Sequence, residues 1–292
     1  MTQPPPPSEP PDEPTPEPSA DATPPTPDAS IPDAPAPAPD AATPDVPTPD
    51  VPAPPTGTSP VAAPASPLPA FVPVAAPLDR IRDAYQRRAE TDYIFNFWTA
   101  LGWTLLTCGV YGIYVVYQLV RRSRDHNLRR LEELDAATAY AWEQAGTRDL
   151  QDELKPNFER VATHLAAMRQ MATEFRDPVI WTVLAVVASG IVQIIVYILL
   201  DSDLVKHDYQ QGGAEHELSL IYTRLGAPVV APDPTTLHQA HSYAARVIVL
   251  LVTCGLYGLW WEYDVMVDLN QHFEKDWVWE DSLAGAVQSL SS

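Results

Sequence analysis

Three apolar segments follow one another in the chain after residue 90, and polar stretches separate them. They cover about residues 93–120, 179–200 and 244–261. The second segment has 22 residues and no charge, which is enough for a helix to cross a hydrocarbon core of about 30 Å. The first segment is longer and rich in Trp and Tyr towards its ends, as at a membrane interface. The pattern predicts an all-α integral membrane protein with three spans.

The third segment is the shortest, with some 18 residues before Glu262. Arg246 lies near its start and could extend its charged end to the lipid headgroups. A buried helix of a soluble protein would show the same pattern. Its likeness to the first segment favours membrane insertion.

The first and third segments share a seven-residue motif. Thr-Cys-Gly-Val-Tyr-Gly-Ile at 107–113 returns as Thr-Cys-Gly-Leu-Tyr-Gly-Leu at 253–259, with five identical positions. Residues 79–120 and 244–292 are therefore predicted to be two copies of one membrane unit. The motif positions taken as candidate packing residues are Thr107, Cys108, Gly109, Tyr111 and Gly112, and Thr253, Cys254, Gly255, Tyr257 and Gly258.

The motif has three interpretations. On a continuous helix, Cys108, Gly109 and Gly112 fall within an arc of about 100°, so that this face would allow close helix packing. Thr107 and Tyr111 fall on the opposite face, which could line a substrate path. The third interpretation is a glycine-interrupted helix or re-entrant turn, as found near transporter binding sites. Tight packing is the preferred interpretation.

The motif resembles the hallmark of a bacterial integral membrane family called domain of unknown function 4234, here in two copies. Thr, Gly, Tyr and Gly of each copy carry the resemblance, together with Tyr114 in the first copy and Trp260 and Trp261 in the second. The resemblance implies a multi-pass protein of the bacterial plasma (inner) membrane. It brings no established activity.

The segments between the predicted spans differ in character. Residues 121–178 show apolar positions three and four apart and predict an amphipathic helical hairpin. Residues 201–243 predict a loop with a short helix at about 215–224, followed by a Pro-rich break.

The N-terminal part of the chain has a different composition. The first 77 residues hold 28 of the 33 prolines, and no Lys or Arg precedes Arg80. Such a stretch cannot bury enough apolar surface to offset the entropy of ordering, so residues 1–78 are predicted to be a disordered Pro/Ala/Asp-rich tail. The tail contributes to the formal net charge of −20. Binding to a proline-reading domain is the alternative to a solvating spacer, but basic flanking residues are absent.

Candidate chemistry is sparse. The sequence has no hydrolase, metalloprotease, phosphate-loop or dinucleotide motif, so we expect no enzyme activity and no cofactor. The spacing of His238 and His241 could offer two metal ligands, but such pairs are usually surface histidines, and no metal site is predicted. Glu262 and Asp264 lie at the edge of the third segment. They are candidate transport acids, although hydration at the interface is the simpler interpretation.

These observations favour a structural or interaction role in the bacterial envelope. The expected partners are membrane lipids, unidentified membrane or envelope proteins and, in a homo-oligomer, further copies of the chain. The arginines of 121–130 directly follow a predicted span and suit anionic lipid better than nucleic acid. A small transporter or transport accessory subunit is the alternative function.

Overall fold

The computed structural model describes residues 75–173, 177–188 and 190–292, and in these ranges every regular element is a helix. The elements are α1 (Pro77–Gln86), α2 (Arg88–Thr91), α3 (Phe97–Leu106), α4 (Val110–Gly146), α5 (Gln151–Thr173), α6 (Pro178–Val187), α7 (Ile191–Arg224), a 3-10 turn (Pro234–Thr236), α8 (Tyr243–Val252) and α9 (Tyr257–Ser291). The all-α class is therefore confirmed for the described part. The predicted tail covers residues 1–78, and residues 1–74 of it lie outside the described part of the chain.

Each apolar segment is folded as a hairpin of two helices. The short arms α3, α6 and α8 have ten residues each, and the long arms α4, α7 and α9 have 37, 34 and 35. Over the described ranges, no helix combines the length and the apolar character that crossing a bilayer requires. The prediction of three spanning helices over 79–120, 179–200 and 244–292 is wrong in this respect, because a turn interrupts each one.

The first motif copy forms the turn between α3 and α4. Cys108 has φ +50° and Gly109 has φ +93°, and a left-handed backbone ends an α-helix. The Thr107 hydroxyl donates to the Trp103 carbonyl at 2.8 Å and accepts from the Tyr111 amide at 2.9 Å. Thr107 therefore satisfies backbone groups of both arms at the point where they meet.

The second motif copy repeats this geometry between α8 and α9. Cys254 and Gly255 have φ +50° and +92°, and the Thr253 hydroxyl accepts from the Tyr257 amide at 3.1 Å. The prediction that the motif residues form one face of a continuous helix is therefore wrong. Of the three interpretations, the glycine-interrupted helix describes the backbone.

Close packing does occur, but within each hairpin. A Cβ placed on Gly112 would lie 3.2 Å from the Thr104 Cγ2 of the short arm, and one on Gly258 would lie 3.4 Å from the Leu250 Cδ1. The glycines at the start of α4 and α9 thus let the short arm of the same hairpin pack closely against each of these helices.

The middle segment is a third copy of the same unit. In each hairpin, a polar N-cap residue precedes the short helix, and a glycine with positive φ follows 13 positions later. The pairs are Asn96 and Gly109, Asp177 and Gly190, and Ser242 and Gly255. The middle copy has the sequence Ala-Ser-Gly at 188–190 where the others have Thr-Cys-Gly, so that only the glycine is identical.

The three long helices assemble around two cores. Near the turns, side chains of all three hairpins form one apolar cluster that includes Val115, Val196 and Trp261. At the other end, α5 packs against α4 and α7, and α1 packs against α4 and α9 around a second cluster. The amphipathic hairpin predicted for 121–178 corresponds to the second part of α4 and to α5, joined through 147–150.

The loop predicted for 201–243 is wrong over its first residues, 201–214, whereas the short helix predicted at about 215–224 lies at the end of α7. Helix α7 continues without a break to Arg224, and the non-helical part starts only afterwards. Residues 201–224 are polar in sequence, but several of their polar side chains are buried in the bundle, among them Asp201, His207, Asp208 and Glu215. Their polarity therefore marks a polar interior instead of a solvated loop.

Candidate metal centre

Three histidines, one from each long helix, meet inside the bundle. His126 lies on α4, His207 on α7 and His272 on α9, with at most 5% of each residue exposed. Their ring centroids are 5.1, 5.6 and 5.8 Å apart, and the rings are inclined by 70–79° to one another. Each histidine follows the turn glycine of its hairpin by 17 positions. At 1.5 Å per residue this places the cluster about 25 Å from the turns, on three helices that run in parallel and in register.

Asp276 completes this group, which we call the histidine cluster. It lies one helical turn after His272 and is 1% exposed. Its Oδ2 is 3.2 Å from His126 Nε2 and 3.3 Å from His272 Nε2. Among the described residues, no hydrogen-bond partner exists for the Nε2 atoms of the three histidines or for either Asp276 oxygen. Buried polar atoms without well-formed hydrogen bonds are costly, so a cation bound among them would stabilise this part of the bundle.

The dimensions of the histidine cluster suit a tetrahedral metal ion. With metal–ligand distances of about 2.0–2.1 Å, two ligand atoms of a tetrahedron lie about 3.3 Å apart. The two contacts of Asp276 have this length. One ring nitrogen from each histidine lies within 4.8 Å of the other two. Small side-chain rotations would therefore bring the three histidines to one ion, and Asp276, which contacts two of them, could supply a fourth ligand.

A carboxylate behind His126 orients its ring. His126 Nδ1 lies 2.9 Å from Asp92 Oδ1, and both residues are buried. Asp92 also accepts from Arg129 Nη2 at 2.7 Å and from Trp277 Nε1 at 2.9 Å. A carboxylate that accepts the Nδ1 proton leaves the Nε2 lone pair free to bind a metal, an arrangement that is common behind metal-binding histidines.

His272 has a similar carboxylate behind it. Its Nδ1 lies 3.3 Å from Asp208 Oδ1, which also accepts from Lys275 Nζ at 2.9 Å. The second oxygen of Asp208 accepts from the His238 amide at 2.6 Å. Asp208 therefore links the histidine cluster to the loop that precedes α8.

The electrostatics favour the metal-binding forms of two ligands, His207 and Asp276. Burial and the charges of the neighbouring His272 and His126 lower the pKa of His207 well below its ordinary value, so this ring is neutral. Burial opposes ionisation of Asp276, but His272, His126 and Arg130 outweigh it and hold the pKa of Asp276 well below its ordinary value. Burial would lower the pKa of His126, but Asp92 and Asp276 outweigh it and raise that pKa, so a metal bound at His126 would have to displace a proton.

Acidic side chains outnumber basic ones around the cluster. Six of the buried carboxylates lie around the cluster, namely Asp92, Glu133, Asp208, Glu215, Asp276 and Glu280. The Arg and Lys side chains that contact them are Arg88, Arg129, Arg130 and Lys275. Burial raises the pKa of both Glu133 and Glu215, as expected where negative charge is in excess. An excess of carboxylates over Arg and Lys side chains would favour a bound cation.

The sequence-predicted site residues lie elsewhere. The motif residues are at the hairpin turns, and Glu262 and Asp264 are on the first turns of α9. Asp264 accepts from Arg246 Nη2 at 2.8 Å. Glu262 lines a cavity of about 390 Å³ between the first two hairpins and α9, together with Gly109 and Gly112.

The prediction of no metal site missed the histidine cluster, since its members are far apart in sequence. The one signal that would have revealed it is the constant spacing of 17 positions between turn glycine and histidine. Using that signal requires knowing that the middle segment is a third copy.

In comparisons with known proteins, the chain matches no protein-family model, no curated protein and no solved structure. The similarity of the Thr-Cys-Gly motif to the family of domain of unknown function 4234 stays a prediction from those residues.

Proposed function

We propose that this protein is a membrane-anchored metalloprotein with a structural role in the bacterial envelope. A divalent transition metal bound by His126, His207, His272 and Asp276 would hold the three long helices together. Three equivalent, buried imidazoles meet inside the bundle, and their Nε2 atoms form no well-formed hydrogen bond within the described part; this observation carries the proposal. It gives a physical basis to the structural or interaction role that the sequence favours.

The ligand set favours zinc. Imidazole suits Zn²⁺, and three imidazoles with one carboxylate supply the four ligands of a closed tetrahedral site. Structural zinc sites are closed in this way, whereas catalytic sites keep a position for water or substrate. All four side chains are buried, with exposures of 5% or less, which supports a structural ion.

The hairpin turns supply the membrane anchor in this proposal. A ten-residue arm is about 15 Å long, or half of a hydrocarbon core of about 30 Å. Residues 93–120, 178–200 and 247–261 carry no charged side chain. Large apolar side chains beside the turns are exposed, namely Leu105, Leu106 and Val110, Val186, Val187 and Ile191, and Leu251, Val252 and Leu256. The three turns would enter one leaflet from the same side, so that lipids are partners and the plasma membrane is the location.

Metal binding by the full-length chain in detergent tests the proposal. After chelation and reloading, we expect tightly bound Zn²⁺ in elemental analysis, and tetrahedral Co²⁺ absorption bands after cobalt substitution. His207→Gln should weaken this binding by a hundredfold or more, because it removes a ligand and leaves the helix intact. His216→Gln is the matched control, since His216 is an exposed histidine of the same helix. Equal metal affinity in both variants would refute the proposed centre.

A role in proton-coupled transport is a second candidate, and the position of Glu262 favours it. Glu262 lines the cavity between the hairpins together with Gln193, and it directly follows the charge-free residues 247–261. Asp264, in contrast, is paired with Arg246. In liposomes that hold a pH-sensitive dye, we expect the wild type to dissipate an imposed pH gradient faster than Glu262→Gln does. Identical rates in Glu262→Gln, wild type and empty liposomes would exclude this candidate.

A further inference from the structure

A second group of metal-binding side chains lies between the histidine cluster and the hairpin turns. Asp201 of α7, Asp268 of α9 and the loop residues His238 and His241 form this group, which we call the loop cluster. Each residue offers one ligand atom, and these four atoms lie within 4.8 Å of one another. His238 Nε2 and His241 Nδ1 are 2.9 and 2.8 Å from Asp201 Oδ1, and Asp268 Oδ2 is 3.9 Å from His238 Nε2.

An unpartnered buried oxygen points to a ligand at the loop cluster. Asp201 is 4% exposed, and its Oδ2 forms no well-formed hydrogen bond within the described part, where the Tyr243 hydroxyl is the nearby donor to this carboxylate. Its Oδ1 already contacts both imidazoles, so the carboxylate has one oxygen available for a cation. An unsatisfied buried carboxylate oxygen is expensive unless an ion or a water occupies the position.

A hydrogen bond from the loop and the spacing of residues on α9 position the members of the loop cluster. The amide of His238 donates to Asp208 Oδ2 at 2.6 Å, which holds the loop against α7. Asp268 precedes His272 by one turn on α9, so the loop cluster lies about 6 Å closer to the hairpin turns than the histidine cluster does. His238 and Asp268 also line a cavity of about 230 Å³.

The loop cluster differs from the histidine cluster in exposure. The side chains of His238, Asp268 and His241 are 16%, 21% and 31% exposed, respectively. We propose that Asp201, His238, His241 and Asp268 form a second site for a divalent transition metal, which exchanges its ion with solvent. Two imidazoles and two carboxylates suit Zn²⁺ and also harder ions such as Mn²⁺. Because its ligands are more exposed, this site binds more weakly than the buried centre. It does not depend on the buried centre for its ligands.

Calorimetric titration of the chelator-treated, full-length chain with Zn²⁺ tests the second site. We expect a weaker binding step in the wild type that His241→Gln reduces at least tenfold. His241 is the most exposed of the four ligands, so its replacement is the least disruptive to folding. Asp268→Asn is the second variant and should have the same effect, while His216→Gln should leave the step unchanged.

The outcomes separate the two metal sites. A weaker step that persists in His207→Gln but is lost in His241→Gln supports the loop cluster, whatever happens to tight binding. A weaker step that is unchanged in both His241→Gln and Asp268→Asn, with circular dichroism showing folded variants, overturns the proposal. Absence of a second binding step in the wild type also overturns the proposal. The loop cluster would then be a hydrogen-bonded group of side chains without a metal.

Discussion

Aspartate at the three hairpin turns is expected to release the protein from lipid vesicles. The variant carries Leu106→Asp, Val187→Asp and Leu251→Asp, one substitution beside each turn, at side chains of residues that are 71%, 79% and 73% exposed. A charge at the bilayer centre costs about 2.5–3.5 kcal/mol on insertion scales, so three charges cost roughly 8 kcal/mol. We expect the partition coefficient into vesicles to fall by more than a thousandfold, as measured by flotation with liposomes that contain anionic lipid.

A second triple variant serves as the control for this experiment. Leu128→Asp, Leu220→Asp and Val278→Asp replace exposed apolar residues on the same three long helices, but far from the turns. They add the same charge to the protein and should leave flotation unchanged. If both triple variants floated equally well, the turns would not be the membrane anchor. If both were released equally, the net charge and not the position would be responsible.

Replacing Arg130 with methionine is expected to lower the free energy of unfolding by about 3–5 kcal/mol. The Arg130 side chain is fully buried, and its guanidinium contacts Glu133 and Glu215 and lies 3.3 Å from Glu280 Oε1. Removing one partner of a buried ion pair leaves uncompensated buried charge, which typically costs this much. In Arg130→Met, three acids of an already acidic interior lose a cation.

Urea unfolding in detergent, followed by circular dichroism, measures this effect. Arg224→Met is the matched control, because Arg224 makes a two-pronged contact with Glu153 at the surface, with distances of 2.6 and 3.0 Å. Solvent screens an exposed pair of this kind, so we expect no measurable loss of stability. Equal stability losses in the two variants would show that the buried network does not determine the stability of the bundle.

The sequence by itself determined the features that depend on neighbouring residues. Apolar runs and periodic patterns were enough to predict the all-α class. The Thr-Cys-Gly repeat identified two equivalent segments, because its residues act locally: Thr107 bonds to backbone groups four positions away on either side. The break at the motif was one of three interpretations that the residues allowed. A glycine at a given position permits a left-handed backbone without requiring it.

Only the tertiary structure decided where the buried polar groups meet. His126 and Asp92 are 34 positions apart, and Arg130 and Glu215 are 85 apart. In sequence, the polar residues of 201–214 indicated a loop, and those of 121–178 indicated an amphipathic hairpin. Charged groups can be buried when partners or a metal compensate them, and such partners come from other helices. The parallel register of three hairpins brings them together, and that register depends on packing between distant segments instead of local preference.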